Sequence, residues 1–381
     1  MTPASSRRLR IGVVVDSLDG ERNGVVNATR RLIAGLRERH QVTEIVGGGE
    51  PGPDRVCLPT LRIPGIHQLI AQNGMQLARP VLRTLRRAIA AQDVVQIQMP
   101  YVLGSCAMAI ANALHVPAVL TYHVQVENWL YQVGIRSQLV SDLISHFSIA
   151  TLFNRAQAVV CLNSFGERVL RRYGLRVPSY LVSNGLPAEF CPGPSPRCPS
   201  REGRFVVLSV GRFAVEKQHQ LLLEGIRRSR HAAQIQLVLV GDGPLRQRLE
   251  GLATRLPVAP IIGPVTRQVL LDHYRSADLY IHSSLLELES LSTLEAMGCG
   301  LPVLIADSPL SAAAQFALDP RSLFPARSAA GLAAQLDYWI EHPAERQRAA
   351  VAYAAHANRY RLGTSVAQME QIYYGLLCRR L

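Results

Sequence analysis

The stretch Leu279–Ala306 reads LYIHSSLLELESLSTLEAMGCGLPVLIA. Its first four residues, Leu279–His282, form an apolar run that predicts a buried strand. A polar loop follows, a helix is expected to begin near Ser292 or Thr293 and run to Gly298, and Val303–Ala306 forms the next strand. Continuous apolar strands separated by a helix predict parallel strands covered on both faces.

The same alternation extends in both directions. Upstream lie strands Phe205–Val210 and Leu237–Val240, with helices His219–Arg228, Pro244–Leu256 and Gln268–Ser276. Residues 191–204, CPGPSPRCPSREGR, interrupt the pattern with Pro, Gly and Arg and predict a linker. Before it, Leu9–Val15, Val42–Val46, Val94–Gln98, Ala118–Tyr122, Ala158–Leu162 and Tyr180–Val182 read as strands, and Gly24–Arg39, Cys106–Leu114 and Phe165–Tyr173 as helices. The expected fold class is α/β, with two doubly wound Rossmann-like domains, residues 1–190 and 205–363. A C-terminal helix near 364–381 is free to pack back on the first domain. In such sheets ligands bind outside the carboxyl ends of the strands, so a central cleft between facing domains is the expected site.

Composition narrows the function. The chain of 381 residues is 48% hydrophobic and 18% charged, enough to bury a large core. Its net charge is +13, carried by 40 Arg and a single Lys, Lys217. Anionic partners follow from that balance. Nucleic acid is not expected among them, because no basic recognition helix with interleaved aromatics occurs and aromatics are 6% of residues. Seven scattered Cys without a C-x-x-C pair read as reduced thiols of a cytoplasmic protein.

Three motifs carry chemistry. In Val210–Lys217, Gly211 lets the backbone approach a ligand, and Arg212 with Lys217 can clamp a diphosphate by fork and by point charge. An Arg-biased chain that keeps one Lys here points to a position needing a compact ammonium. In Leu239–Leu245, Gly241 and Gly243 form a turn, with Pro244 at the expected first helical position. In the opening stretch, Glu287 lies in the loop and Glu295 in the expected first helical turn. Helix amides suit a phosphate, and carboxylates suit vicinal hydroxyls; capping by Ser292, with Glu295 at the third helical position, accounts for Glu295 but not for Glu287. No D-x-D occurs anywhere, so neither a metal nor another cofactor is expected.

The ordered set G-R-x4-K, G-D-G-P and E-x7-E-A-M-x-C-G-x-P-V resembles family 4 of the retaining glycosyltransferases. Asn23–Val25, Thr121–His123, Cys161–Glu167 and Ser183–Gly185 extend the resemblance to the first half. TYHVQVEN at Thr121–Asn128 and LPVLIADSPLSAAAQF at Leu301–Phe316 are similar to the branch of bacterial diacylglycerol glucosyltransferases. Ser290 departs from the commoner E-G-F-G loop. The resemblance implies the GT-B fold, a nucleotide-sugar donor, and hexose transfer to a lipid, lipid-linked or other envelope glycan acceptor. By it, Arg212 and Lys217 hold the diphosphate and Glu295 the ribose. Glu287 holds donor-sugar hydroxyls, and His123 touches the sugar. Gly24 offers an amide, the base lies by Gly263–Val265, and Gly211, Gly241, Ser290, Leu291 and Ser292 line the donor site. For Asn163, Ser164 and Glu167 helix capping is the better account. An epimerase or phosphorylase on the same scaffold fits the E-x7-E loop less well.

An anionic membrane surface is the last expected partner, at the inner face of the plasma membrane. In PVLRTLRRAIA, residues 80–90, Val81, Leu82, Leu85, Ala88 and Ile89 share a helical face opposite Arg79, Arg83, Arg86 and Arg87. Such a helix either lies on the bilayer or packs its apolar face on the core with its Arg side chains in water; the charge of +7 over residues 1–90 and the lipid-acceptor resemblance favour the bilayer.

Overall fold

The structure, a computed structural model, describes residues 7–18, 24–62, 76–132, 134–194 and 203–378. The chain divides into two units. The first comprises Met1–Leu130, Ile135–Gly185 and Leu362–Leu381; the second comprises Tyr131–Gly134 and Leu186–Arg361.

The first unit is built on β1 (Arg10–Val15), β2 (Gln41–Gly47), β3 (Arg55–Leu58), β6 (Val94–Ile97), β7 (Ala118–Tyr122), β8 (Ala158–Cys161) and β9 (Ser179–Leu181). They form a parallel sheet in the order β3-β2-β1-β6-β7-β8-β9. A separate antiparallel pair joins β4 (Thr60–Leu61) to β5 (Leu77–Ala78). The helices are α1 (Gly24–Arg37), α2 (Leu82–Ala90), α3 (Val102–Ala113), α4 (Val126–Gln132), α5 (Gln138–Thr151) and α6 (Ser164–Arg172). The second unit has β10 (Phe205–Val210), β11 (Ile235–Val240), β12 (Ile261–Gly263), β13 (Leu279–His282), β14 (Val303–Asp307) and β15 (Leu323–Pro325), in the parallel order β12-β11-β10-β13-β14-β15. Its helices are α7 (His219–Arg228), α8 (Arg246–Ala253), α9 (Arg267–Ser276), α10 (Leu291–Gly298), α11 (Ala329–Glu341) and α12 (Pro343–Ala357). The last helix, α13 (Leu362–Cys378), belongs to the first unit.

Burial explains the strand sequences. β6, β7, β8, β11 and β13 are buried at every residue, as sheets covered on both faces require. Helix α13 joins the first core through Val366, Met369, Ile372, Tyr373 and Leu376. Gly35 of α1 admits it closely, since a Cβ there would stand 2.5 Å from Val366 Cγ2. Buried Glu370 accepts from His40 Nε2 at 3.0 Å, pairs with Arg39 at 2.7 Å, and lies one turn from Tyr373, whose hydroxyl donates to Gln96 Oε1 at 3.1 Å.

Three expectations need correction, and a fourth lies mostly outside the described residues. The first unit ends at Gly185, because Arg275 donates to the carbonyls of Glu189 and Cys191 and ties that stretch to the second unit. Most of the expected linker, residues 195–202, lies outside the described residues. Helix α8 begins at Arg246; Pro244 sits in the preceding turn, where Leu245 N–H donates to Phe213 O. Finally, α2 turns Leu85, Ala88 and Ile89 into the unit's core, leaving Leu82 exposed. As a helix covering the sheet it cannot offer that face to a bilayer, although Arg83, Arg86 and Arg87 remain exposed. Among the described residues, no helix is long and apolar enough to cross a membrane.

Replacing Glu370 by Ala strands the buried His40 N–H and leaves Arg39 without this carboxylate. Urea unfolding should show a loss of about 2–3 kcal/mol; a loss under about 0.5 kcal/mol would mean that α13 is held by its apolar face alone.

Candidate active site

The strand order of the second unit reverses between β10 and β13, the switch point at which doubly wound sheets hold ligands. The loop after β10 carries Gly211, Arg212, Glu216 and Lys217, and the loop after β13 carries Ser283, Ser284 and Glu287. Backbone contacts bind the two loops. Leu285 N–H donates to Glu216 O at 2.8 Å, and the Ser283 hydroxyl donates to Lys217 O at 2.7 Å. Glu287 C=O accepts from Ala312 N–H at 2.7 Å, fixing the second loop to the segment after β14.

On this frame the Lys217 ammonium donates to the Glu287 carboxylate in a short ion pair. His282 Nε2 lies 3.5 Å from the same Glu287 oxygen. Burial opposes ionisation of Glu287, but Lys217 first and His282 next outweigh it, holding its pKa at about 2 against an ordinary 4.5. Burial pushes His282 below its usual range. It also takes neighbouring His219 down to about 3, with help from Lys217 and His282. Arg212 is anchored in turn by Glu216, a carboxylate only 3% exposed, at 2.7 Å. Three buried polar atoms of this cluster, Glu216 Oε2, His219 Nδ1 and His282 Nε2, have no hydrogen-bond partner among the described residues.

The helix after the loop starts earlier than the sequence suggests. Ser290, not Ser292, caps α10: its extended backbone lets its Oγ accept from Thr293 N–H at 3.3 Å. Leu291 is therefore the first helical residue, and Glu295 lies in the second turn. Buried Glu295 accepts from Tyr274 OH at 3.1 Å, and Ser292 Oγ accepts from Tyr280 OH at 2.8 Å. Gly241 and Gly243 follow β11, and Gly263 ends β12 at the same edge of the sheet, with Val265 just beyond it. Gly241 has φ +151°, and a Cβ there would meet Gly211 O at 2.0 Å, so only glycine fits. At Gly211 the nearest atom to such a Cβ would be 3.9 Å away, leaving its outer side open.

Gly24 and His123 belong to the first unit. Gly24 is the first residue of α1, and the preceding Asn23 lies outside the described residues. His123 follows β7 and pairs through Nε2 with Gln98 Oε1 at 2.6 Å. Enclosure lowers its pKa to about 4 and keeps the ring neutral. A cavity of about 30 Å³, room for about one water, is lined there by Gln98, Thr121, His123, Ser183 and Asn184 among others. Asn163 caps α6 by accepting from Gly166 N–H at 2.9 Å.

The motifs by themselves assign no role to Glu216 or His282. The i,i+4 spacing of Arg212 and Glu216 was the available signal for the first. Tyr274 and Tyr280, which position Glu295 and Ser292, carry no local signature.

The chain belongs to the family 4 glycosyltransferases of the GT-B fold. Residues 22–190 match the family described as Glycosyltransferase Family 4, and residues 196–356 match Glycosyl transferases group 1. It is similar to an alpha-monoglucosyldiacylglycerol synthase of Streptococcus pneumoniae, 22% identical over 79% of this chain and 72% of that one. It is also similar to a GDP-mannose-dependent alpha-mannosyltransferase of Corynebacterium glutamicum, 26% identical over 78% and 72%. Among solved structures, the Anabaena protein HepE in complex with UDP and glucose superposes with a TM-score of 0.75 at 17% identity, over 97% of this chain and all of that one.

The Lys217–Glu287 pair has a pH signature. Because the folded pKa of Glu287 is depressed, its stabilisation is complete above the unfolded value near 4.5 and is lost as pH falls through about 2. In Lys217→Ala the half-enclosed carboxylate loses its counter-ion, which should cost about 1–3 kcal/mol at pH 7. The deficit relative to wild type should shrink as pH falls from 7 toward 4 and the carboxylate protonates. A deficit in urea midpoints that is flat with pH would show that the pair does not set this carboxylate's ionisation.

Proposed function

We propose that this protein transfers glucose from UDP-glucose to a membrane lipid or lipid-linked acceptor, diacylglycerol being the first to test, with retention of configuration and without a metal. The observation that carries this reading is the ionised Lys217–Glu287 pair at the switch point of the second unit. An ammonium and a guanidinium, each anchored by a carboxylate, suit a leaving diphosphate. Glu287 stays ionised from pH 4 upward, so it accepts hydroxyl hydrogen bonds from the sugar and does not donate a proton. Neutral His123 adds a polar contact to the sugar, the amide of Gly24 lies near the leaving phosphate, and Glu295 takes the ribose. Transfer is a front-face displacement: the anomeric carbon–phosphate oxygen bond breaks, the acceptor oxygen bonds to that carbon on the same face, and the acceptor proton goes to the leaving phosphate. Similarity to a diacylglycerol-glycolipid synthase supports the lipid, and the UDP and glucose of the superposed structure support the donor. The protein works as a peripheral protein on an anionic cytoplasmic membrane face.

The similarity to a GDP-mannose-dependent enzyme favours a second reading in which mannose is moved. Radiolabelled UDP-glucose and GDP-mannose, each incubated with protein, excess EDTA and membrane extract, separate the two. Label from UDP-glucose in an α-linked glycolipid is the expected result. Label only from GDP-mannose establishes the second reading, and activity that EDTA abolishes and Mg²⁺ restores overturns metal independence.

The two glutamates should partition. Glu287→Gln should lower kcat by about 30- to 1,000-fold, the loss of about 2–4 kcal/mol of charge-assisted stabilisation, whereas Glu295→Gln should chiefly raise the donor KM. The reverse partition in steady-state kinetics would mean that the loop presents these carboxylates the other way round.

A further inference from the structure

Helix α5 is inside out. Its inward positions are Ser141, Ser145 and Ile149, at 2%, 6% and 2% exposure, while Leu139, Leu143 and Phe147 stand 79%, 70% and 68% exposed, with Val140 and Ile144 beside them. A helix whose only task is to cover a sheet places large apolar residues inward and small polar ones outward. Here the i, i+4, i+8 stripe of large side chains faces away from the unit, the kind of continuous apolar patch that marks an interaction surface. The surface extends along the chain. Ile135 is 43% exposed and donates its N–H to Leu130 O at 2.8 Å, which keeps the start of α5 by the end of α4. Trp129 of α4 is 47% exposed and stacks on Tyr101 at 4.9 Å.

Charge identifies what the patch meets. Between Trp129 and Arg155 the sequence carries one acid, Asp142. Its carboxylate is engaged by neighbouring side chains, accepting from Tyr173 OH at 2.6 Å and Gln138 Nε2 at 2.8 Å. Exposed cations flank the helix: Arg172 lies 5.7 Å over the Tyr173 ring, and Arg176 lines a depression with His146, Ala150 and Tyr173. An apolar stripe whose one neighbouring carboxylate is taken up by Tyr173 and Gln138, and which is bordered by Arg, matches an anionic lipid interface, in which headgroup phosphates meet the cations as the acyl region takes the stripe. At 14 residues α5 is about 21 Å long, too short to span a bilayer and suited to lie in its plane.

We propose that the outward face of α5, Leu139, Leu143 and Phe147 with Val140 and Ile144, docks this protein on an anionic bilayer, with Arg172 and Arg176 at headgroup level. The proposal rests on the lipid-acceptor reading above and replaces α2 as the membrane element.

The test uses the full chain in flotation with phosphatidylcholine vesicles, with and without phosphatidylglycerol. Wild type should float with the anionic vesicles. Replacing Leu139, Leu143 and Phe147 with Ser should weaken binding by about 100-fold or more, and Arg172→Gln with Arg176→Gln by about tenfold, only on anionic vesicles. The serine variant should keep its urea midpoint, since these side chains are exposed, and should keep hydrolysis of UDP-glucose to glucose and UDP. A second readout is tryptophan emission: Trp339 is buried, so a vesicle-dependent shift reports Trp129. Undiminished flotation of the serine variant overturns the proposal. So does a wild type that ignores vesicles but is dimeric where the serine variant is monomeric, which would assign the face to a second copy. If wild type floats, the serine variant does not, and no lipid acquires label from either donor, the docking face stands and the lipid-acceptor reading falls.

Discussion

The second unit depends on one constraint: the loops after β10 and β13 leave adjacent parallel strands at the point where strand order reverses, and something must hold them together. The Lys217–Glu287 ion pair does so, set in a frame of backbone bonds from Leu285, Ser283 and Ala312. Burying such a pair costs desolvation that the Coulomb attraction alone does not always recover. Here the backbone bonds have already ordered both loops, so the charges meet with little further loss of freedom. The same logic places Arg212 on Glu216. Both cations of the expected diphosphate site are thus positioned before any ligand arrives, which is what electrostatic preorganisation requires.

The imidazoles beside these charges, His219 and His282, are kept neutral, and so by itself is His123 in the first unit. Burial depresses His123, His219 and His282 alike. The permanent charges, an ammonium, a guanidinium and carboxylates, then set the field across the neutral pH range. Neutral imidazole supplies both a donor and an acceptor nitrogen without adding charge, a useful property beside sugar hydroxyls. His123 already commits Nε2 to Gln98, and its ring helps line the small cavity beside it.

Two helices of the first unit show how misleading amphipathicity can be when direction is unknown. Helix α2 has the stronger separation of Arg from apolar residues, and its apolar side is spent on the unit's core. Helix α5 has a weaker pattern, because serines rather than charges occupy its other side, and that side is the one turned inward. Sequence periodicity reports that two faces differ; which face meets the protein depends on what the neighbouring elements can accommodate.

Much of this molecule was legible from residue order alone. Apolar runs such as Val94–Ile97 and Leu279–His282 are long enough for a strand and bracketed by helical segments, and local pattern suffices to specify a parallel α/β sheet. The motif spacing likewise marked Arg212, Lys217, Glu287 and Glu295. Tertiary structure decided the rest, because it depends on contacts between residues far apart in sequence. Nothing local ties Lys217 to Glu287 seventy residues later, aims Tyr274 at Glu295, or returns α13 to the first unit. The capping of α10 by Ser290 was likewise undecidable from a run containing both Ser290 and Ser292. Either hydroxyl can cap, and the extended backbone at Ser290 in the folded loop is what selects it.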